Sequence, residues 1–163
     1  MRNFSLQKKL SVIVDSPTSI CFSVSLNPIF SSTHFWIVDS GATRHICSDA
    51  NIFTTIRAIQ NSAITLPKHT QIAVAFSGDI KLCAGLVLKD VLYVLQFKFN
   101  VLYVSALTRG SHLTVNFLPD CFVIQEINNK KMIGKGDKVE DLYVLDTTAL
   151  NSQSTAYVNS VST

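Results

Sequence analysis

The sequence predicts an all-β domain, a small and partly closed β-barrel with one or two short helices. From Phe35 onward, short apolar runs alternate with turn residues, which is typical of a chain that folds into strands. Many of these runs are rich in Val, Ile, Leu, Phe and Tyr, the residues that suit a packed, pleated surface. The sequence contains neither a long amphipathic helix nor an internal repeat.

Length and composition limit the class of protein. A chain of 163 residues fits one domain, or one domain and a tail. With 47% hydrophobic and 15% charged residues, it can bury a core, and we expect it to fold. The net charge is only +3 and the basic residues are scattered, so we expect no direct nucleic-acid binding by this domain. Membrane binding is not expected, since no segment approaches the ~20 apolar residues of a span.

Strands and helices can be placed by run length and turn residues. We predict strands at 35–39, 60–66, 70–76, 79–83, 85–94, 99–102, 112–117, 121–126 and 141–146. One short helical turn is predicted from Ser48 through Phe53, and another over Val104–Leu107, before Gly110.

The domain boundaries follow changes in composition. Residues 1–33 are Ser-rich and interrupted by Pro17 and Pro28, and we interpret them as a poorly ordered N-terminal extension. Residues 34–147 form the predicted β-barrel domain. Residues 148–163 are rich in Ser, Thr and Asn and are predicted to be a flexible tail.

The cysteines do not indicate a metal centre. Cys21, Cys47, Cys83 and Cys121 lie far apart, without the close ligand pairs that a structural zinc site needs. We therefore expect no metal and no other cofactor. The apolar run Leu10–Val14 is too short for a signal peptide, which favours an intracellular protein with reduced thiols.

The segment Asp39-Ser40-Gly41-Ala42 directly follows the apolar run Phe35–Val38. A strand that ends in a carboxylate and a tight turn holds that carboxylate rigidly, and the small residues let another chain approach closely. This arrangement is what an aspartic protease needs. The same residues are equally typical of a surface turn, so the tripeptide alone leaves both interpretations open.

Peptide hydrolysis by carboxylates needs two Asp side chains that share one proton, about 3 Å apart. The only similar segment here is Asp15-Ser16-Pro17, in which Pro replaces Gly. Proline cannot adopt the positive φ of such a turn, so we interpret Asp15 as a chance similarity. A protease built on this chain must therefore be a homodimer in which each copy supplies Asp39.

Trp36–Thr43, followed by His45-Ile46-Cys47, resembles the protease segment of copia-type retrotransposon Pol polyproteins. The resemblance keeps its order and spacing over roughly residues 35–146. It continues through Leu66-Pro67, Leu88–Val94, Phe97–Leu102, Val104-Ser105, Cys121–Gln125, Ile133–Gly136 and Leu142–Leu145.

The resemblance implies a retropepsin-like fold and an aspartic endopeptidase that processes the Gag-Pol polyprotein as a homodimer. Asp39 would be the catalytic carboxylate that activates water. Ser40 would hydrogen-bond across the dimer axis, and Gly41 would contact the substrate backbone. The active-site loop also includes Ala42 and Thr43, and a flap is implied near residues 66–74, with Pro67, Lys68 and His69 at its tip.

The partners implied by the resemblance are a second copy and a polyprotein peptide. The implied location is the cytoplasm, within virus-like particles in an active element. Several residues depart from the family pattern: the flap tip has no Gly, Leu95 replaces Pro, and a bulky Tyr103 stands where a small residue is preferred. These departures favour a second hypothesis, a catalytically inactive remnant that acts only as a folded binding or assembly module.

Three further interpretations remain open. A β-barrel that binds single-stranded nucleic acid is one alternative, although the chain lacks a basic groove. His45 is interpreted as a packed or capping residue rather than a catalyst. Arg44 is interpreted either as a peptide-binding residue near the cleft, by analogy with the family, or as a solvated surface residue.

Overall fold

The computed structural model describes the strand residues 11–12 and 20–21 and residues 33–42, 44–65 and 71–150. The two short strands β1 (Ser11–Val12) and β2 (Ile20–Cys21) pair antiparallel. Most of the predicted N-terminal extension and tail lies outside the described residues. The proposed boundaries at residues 33 and 147 therefore stay predictions.

The remaining strands form one sheet, which confirms the all-β prediction. Its strands are β3 (Phe35–Asp39), β4 (Ile46–Cys47), β5 (Phe53–Thr65), β6 (Gln71–Cys83), β7 (Leu86–Tyr93), β8 (Asn100–Tyr103), β9 (Leu113–Phe117), β10 (Cys121–Glu126), β11 (Met132–Val139) and β12 (Leu142–Asp146). Their order is β5-β6-β7-β4-β8-β3-β12-β11-β10-β9. Because β5 and β9 lie at opposite edges, the sheet is not closed.

Short helical segments connect some of these strands. A 3₁₀ turn spans Ala50–Ile52, α1 spans Val104–Thr108, and a helical turn covers residues 147–150. Both predicted helical pieces are present, but the cap of the first is Asp49 rather than Ser48, since the Asp49 carboxylate accepts the Asn51 N–H at 2.9 Å. In the described part of the chain, no helix has the length and apolar run that a membrane span requires.

The strand predictions need three corrections. β6 runs without a break through Ser77 and Gly78, where two strands were predicted. β5 begins at Phe53, well before the predicted residue 60. The strands β4 and β11 were not predicted at all.

Two parallel strand pairs organise the centre of the sheet. β3 pairs in parallel with β8, from Trp36 opposite Asn100 to Asp39 opposite Tyr103. β4 pairs in parallel with β7. The buried Asn100 fixes the start of the first pair, because its amide donates to the Thr33 carbonyl at 3.0 Å and its Oδ1 accepts the Ser48 N–H at 3.3 Å. These connections hold the segment that follows Asp39 against β8 and β7.

Two hydrophobic cores lie on opposite faces of β3, because successive side chains of a strand alternate between faces. What we call the first core contains Trp36 and Val38, together with buried side chains of β6 to β8, β10 and β12. The second core contains Ile37. Its other buried members are Ala42, Ile46, Ile64, Val74, Leu92, Val94, Phe97 and Val101.

Candidate active site

Asp39 is the last residue of β3 and is held in place by backbone and side-chain contacts. Its backbone lies opposite Tyr103 in the parallel β3–β8 pair. The side chain is largely buried, with the residue 7% exposed, and Oδ1 accepts the N–H of Gly41 at 2.7 Å. This bond within the turn fixes the orientation of the carboxylate at the end of the strand.

The loop after Asp39 joins an exposed segment to a buried one. Ser40 is exposed and Gly41 is half-buried, whereas Ala42 is buried in the second core. Thr43, predicted to belong to the active-site loop, lies outside the described residues. The turn therefore presents Ser40 and the Gly41 backbone outward while Ala42 anchors the loop.

His45 anchors the other end of this loop. The residue is only 1% exposed, and its Nδ1 accepts the backbone N–H of Tyr103 at 2.9 Å. Its carbonyl oxygen accepts the N–H of Leu92 on β7, also at 2.9 Å. Burial and the neighbouring Arg44 guanidinium lower the pKa of His45 to about 4. A neutral, buried imidazole matches the packed and capping interpretation of this residue.

Tyr103 is the last residue of β8 and is half-buried, and it packs against the second core. It immediately precedes α1, and no side-chain hydrogen bond caps that helix. The bulky Tyr103 thus remains partly exposed to solvent at this position.

Arg44 sits beside His45 within the loop and is half-buried. Burial, and then the nearby Arg57 guanidinium, lower its pKa. Arg57, on β5, forms an ion pair with Asp90 of β7. Asp90 has a positive φ of 53°, and its N–H donates to Asp79 Oδ1 at 3.2 Å.

Sequence reasoning missed Arg57. No local signal marks Arg57, because its partner lies 33 residues further along the chain. Arg44 is half-buried, and both interpretations of it, a peptide-binding residue and a solvated surface residue, stay predictions.

Of the predicted flap, residues 66–74, the structure describes only 71–74, which form the start of β6. Pro67, Lys68 and His69 lie outside the described residues, but Thr65 pairs with Gln71 on either side of them. Near this end, Ile64 and Val74 are buried in the second core together with Ala42. The β5–β6 hairpin therefore packs onto the same core as the loop that follows Asp39.

No group of three or more His, Cys, Asp or Glu side chains suited to a metal ion occurs among the described residues. Cys47 is fully buried, and that burial raises the pKa of its thiol to about 12. A cavity of about 370 Å³ lies at the opposite end of β3 from Asp39, lined by residues that include Trp36, Lys81 and Thr147. The Asp39 loop takes no part in lining it.

Comparison with known proteins finds one matching family and relatives of this chain. Residues 36–112 match the family described as "Pol polyprotein, beta-barrel domain". The chain is 27% identical, over 69% of its length, to the retrovirus-related Pol polyprotein from transposon RE1 of Arabidopsis thaliana. It is 28% identical, over 66% of its length, to the corresponding polyprotein from transposon RE2 of the same plant.

The chain spans only about 8% of the length of each of these curated relatives. No solved structure matches it. The predicted resemblance is thus confirmed at the level of the Pol polyprotein. Residues 36–112 are thus similar to the Pol polyprotein beta-barrel domain, and the chain is homologous to retrovirus-related Pol polyproteins of Arabidopsis transposons.

Proposed function

We propose that this domain is the retropepsin-like aspartic endopeptidase of a copia-type retrotransposon and that it processes the Gag-Pol polyprotein as a homodimer. The observation that carries the proposal is the placement of Asp39. Its carboxylate lies at the end of a central strand, is fixed by the Gly41 N–H at 2.7 Å, and is followed by an outward-facing small-residue turn.

The chemistry requires a second carboxylate close to the first. Two carboxylates about 3 Å apart cannot both ionise, so the pair shares one proton. The ionised partner takes a proton from water while the protonated partner donates one to the scissile carbonyl. Asp39 of a second copy supplies the missing carboxylate in this proposal, with the two loops related by a two-fold axis.

The surroundings of Asp39 support this arrangement. The exposed Ser40 is accessible for contact with a second copy, and a glycine at position 41 lets a peptide backbone approach closely. The β5–β6 hairpin packs onto the same core as the loop, so it is suited to cover a bound peptide and exclude water.

The test is cleavage of a peptide that spans a polyprotein junction by the full 163-residue chain. The assay is run at a pH of about 5, where a carboxylate pair holds one proton. We expect Asp39→Asn to lower kcat/KM by about 1,000-fold or more, and pepstatin to inhibit the wild type. Asp137→Asn, at an exposed position of β11, is the matched control and should cleave like the wild type.

The oligomeric state decides how a negative result is interpreted. Sedimentation equilibrium at the assay concentration shows whether the chain is dimeric. A dimer that cleaves no junction peptide would contradict the proposal and favour the inactive binding or assembly module. A strictly monomeric chain would contradict it as well, since one Asp39 has no catalytic partner.

A further inference from the structure

The loop that carries the proposed catalytic Asp39 is closed at its base by a single residue of β8. Asp39, at the start of the loop, lies opposite Tyr103 in the parallel strand pair. His45, at the end of the loop, accepts the backbone N–H of that same Tyr103 through Nδ1 at 2.9 Å. Both ends of the loop are therefore fixed to one point of β8.

Further contacts hold the His45 backbone in place, and its side chain is buried. The His45 carbonyl oxygen accepts the Leu92 N–H at 2.9 Å, and Ile46 pairs with both Leu92 and Val101. The His45 residue is 1% exposed, so water does not readily replace its ring as the acceptor for the Tyr103 N–H. A buried N–H that loses its acceptor is costly, and the loop must shift to restore one.

The bond depends on the protonation state of the ring. Since Nδ1 accepts the Tyr103 N–H, Nδ1 carries no proton and the neutral ring holds its proton on Nε2. If the ring takes up a second proton, at Nδ1, this acceptor becomes a donor that faces the Tyr103 N–H, another donor. The contact is then lost.

We propose, resting on the proposed function, that His45 is a positioning residue: its neutral ring closes the Asp39 loop on β8, and protonation of the ring opens that loop. Charged and titratable residues adjoin it in its own loop and in the strands that it contacts: Asp39 and Arg44 in the loop, Tyr103 on β8, Tyr93 next to Leu92 on β7, and Cys47 on β4. Of these, Arg44 acts on His45 by charge, and it opposes protonation.

Hydrogen exchange of the Tyr103 amide tests the contact directly in the full chain. We expect His45→Phe, which keeps a ring but no acceptor, to speed this exchange by about tenfold. His45→Asn retains an acceptor near the Nδ1 position and should recover most of the protection. His112→Phe is the matched control, because His112 is an exposed histidine distant in sequence from the loop, and it should change nothing.

Protonation gives a second readout that a purely packing role would not produce. After correction for intrinsic exchange rates, protection of the Tyr103 amide should fall in the wild type as the pH approaches 4. The His45→Asn variant, which has no ring to protonate, should lose no protection over the same range. Equal pH dependence in the two proteins would overturn the role of ring protonation.

Kinetics link the contact to the active site. We expect His45→Phe to lower kcat by about tenfold to a hundredfold with little change in KM, because a misplaced carboxylate affects the chemical step. The acid limb of the wild-type pH profile should move to lower pH in His45→Asn. If the wild type cleaves no peptide, the proposed function fails, and the exchange data still decide whether His45 holds the loop. Unchanged Tyr103 exchange in His45→Phe would overturn the inference.

Discussion

The two cores on either face of β3 differ in what they connect. The first core is built from side chains of the strands and of α1, around Trp36 and Phe122. The second core joins strands to the parts that form the candidate site: Ala42 of the Asp39 loop, and Ile64 and Val74 of the hairpin. One face of the sheet therefore supports the fold, while the other connects the fold to the candidate site. Mutations in the two cores should therefore have different consequences.

The largest loss of stability is expected from a substitution in the first core. Trp36 is fully buried there, and Trp36→Ala should lower the free energy of unfolding by about 3–5 kcal/mol. Urea unfolding followed by circular dichroism measures this. Trp36→Phe should cost much less than the size change suggests, because the indole Nε1 is buried without a hydrogen-bond partner among the described residues. Equal losses in the two variants would contradict this expectation.

The next largest effect is expected from His45, which directly precedes Ile46 of the second core. In the folded chain its pKa is about 4, against 6.5 for an ordinary histidine, so the unfolded chain binds the extra proton first as the pH falls. Stability should therefore decrease between pH 6.5 and 4, by about 3 kcal/mol in total.

Comparison with His45→Asn isolates this contribution from that of the carboxylates. The difference in unfolding free energy between wild type and variant should change in favour of the variant as the pH falls from 7 to 4. A constant difference over that range would show that His45 does not titrate differently in the two states. The effect also predicts that the domain is less stable at the acidic pH of the proposed cleavage assay.

A smaller and more local effect is expected at the hairpin. Ile64→Ala removes a fully buried side chain from the second core, at a cost of about 2 kcal/mol. We expect faster hydrogen exchange confined to residues 62–65 and 71–74, together with a higher KM for peptide. Ile56→Ala is the matched control, since Ile56 lies on the same strand but is 51% exposed. Loss of protection throughout β10 and β12 would contradict the separation of the two cores.

For strands with a clear apolar pattern, the first and last residues could be predicted from the sequence. The predicted strands 35–39 and 121–126 are found as β3 and β10. β11 was missed because its run Met132–Val139 mixes Gly with charged residues. Gly136 is required there, since a Cβ at that position would overlap the Phe122 ring and the Val144 carbonyl oxygen.

The candidate site was predictable only where its signal is local. Asp39 could be identified because an apolar run and a small-residue turn adjoin it in sequence. The bond from Tyr103 to His45 joins residues 58 positions apart, and no local pattern specifies it. The start of β5 was missed for a related reason: residues 54–58 are exposed and therefore lack the alternating pattern that marks a half-buried strand.

The smallest effect is expected outside both cores, at the ion pair between Arg57 and Asp90. Both side chains are more than half exposed, at 54% and 57%, so solvent screens the pair and Arg57→Gln should cost less than about 1 kcal/mol. Asp90→Gly breaks the same pair but suits the positive φ of 53° at that position, so it should be close to neutral. Thermal unfolding at low and high salt compares the two variants. A loss above about 2 kcal/mol in both would mean that the pair supports the Arg44 side of the loop, and that the site depends on more than the second core.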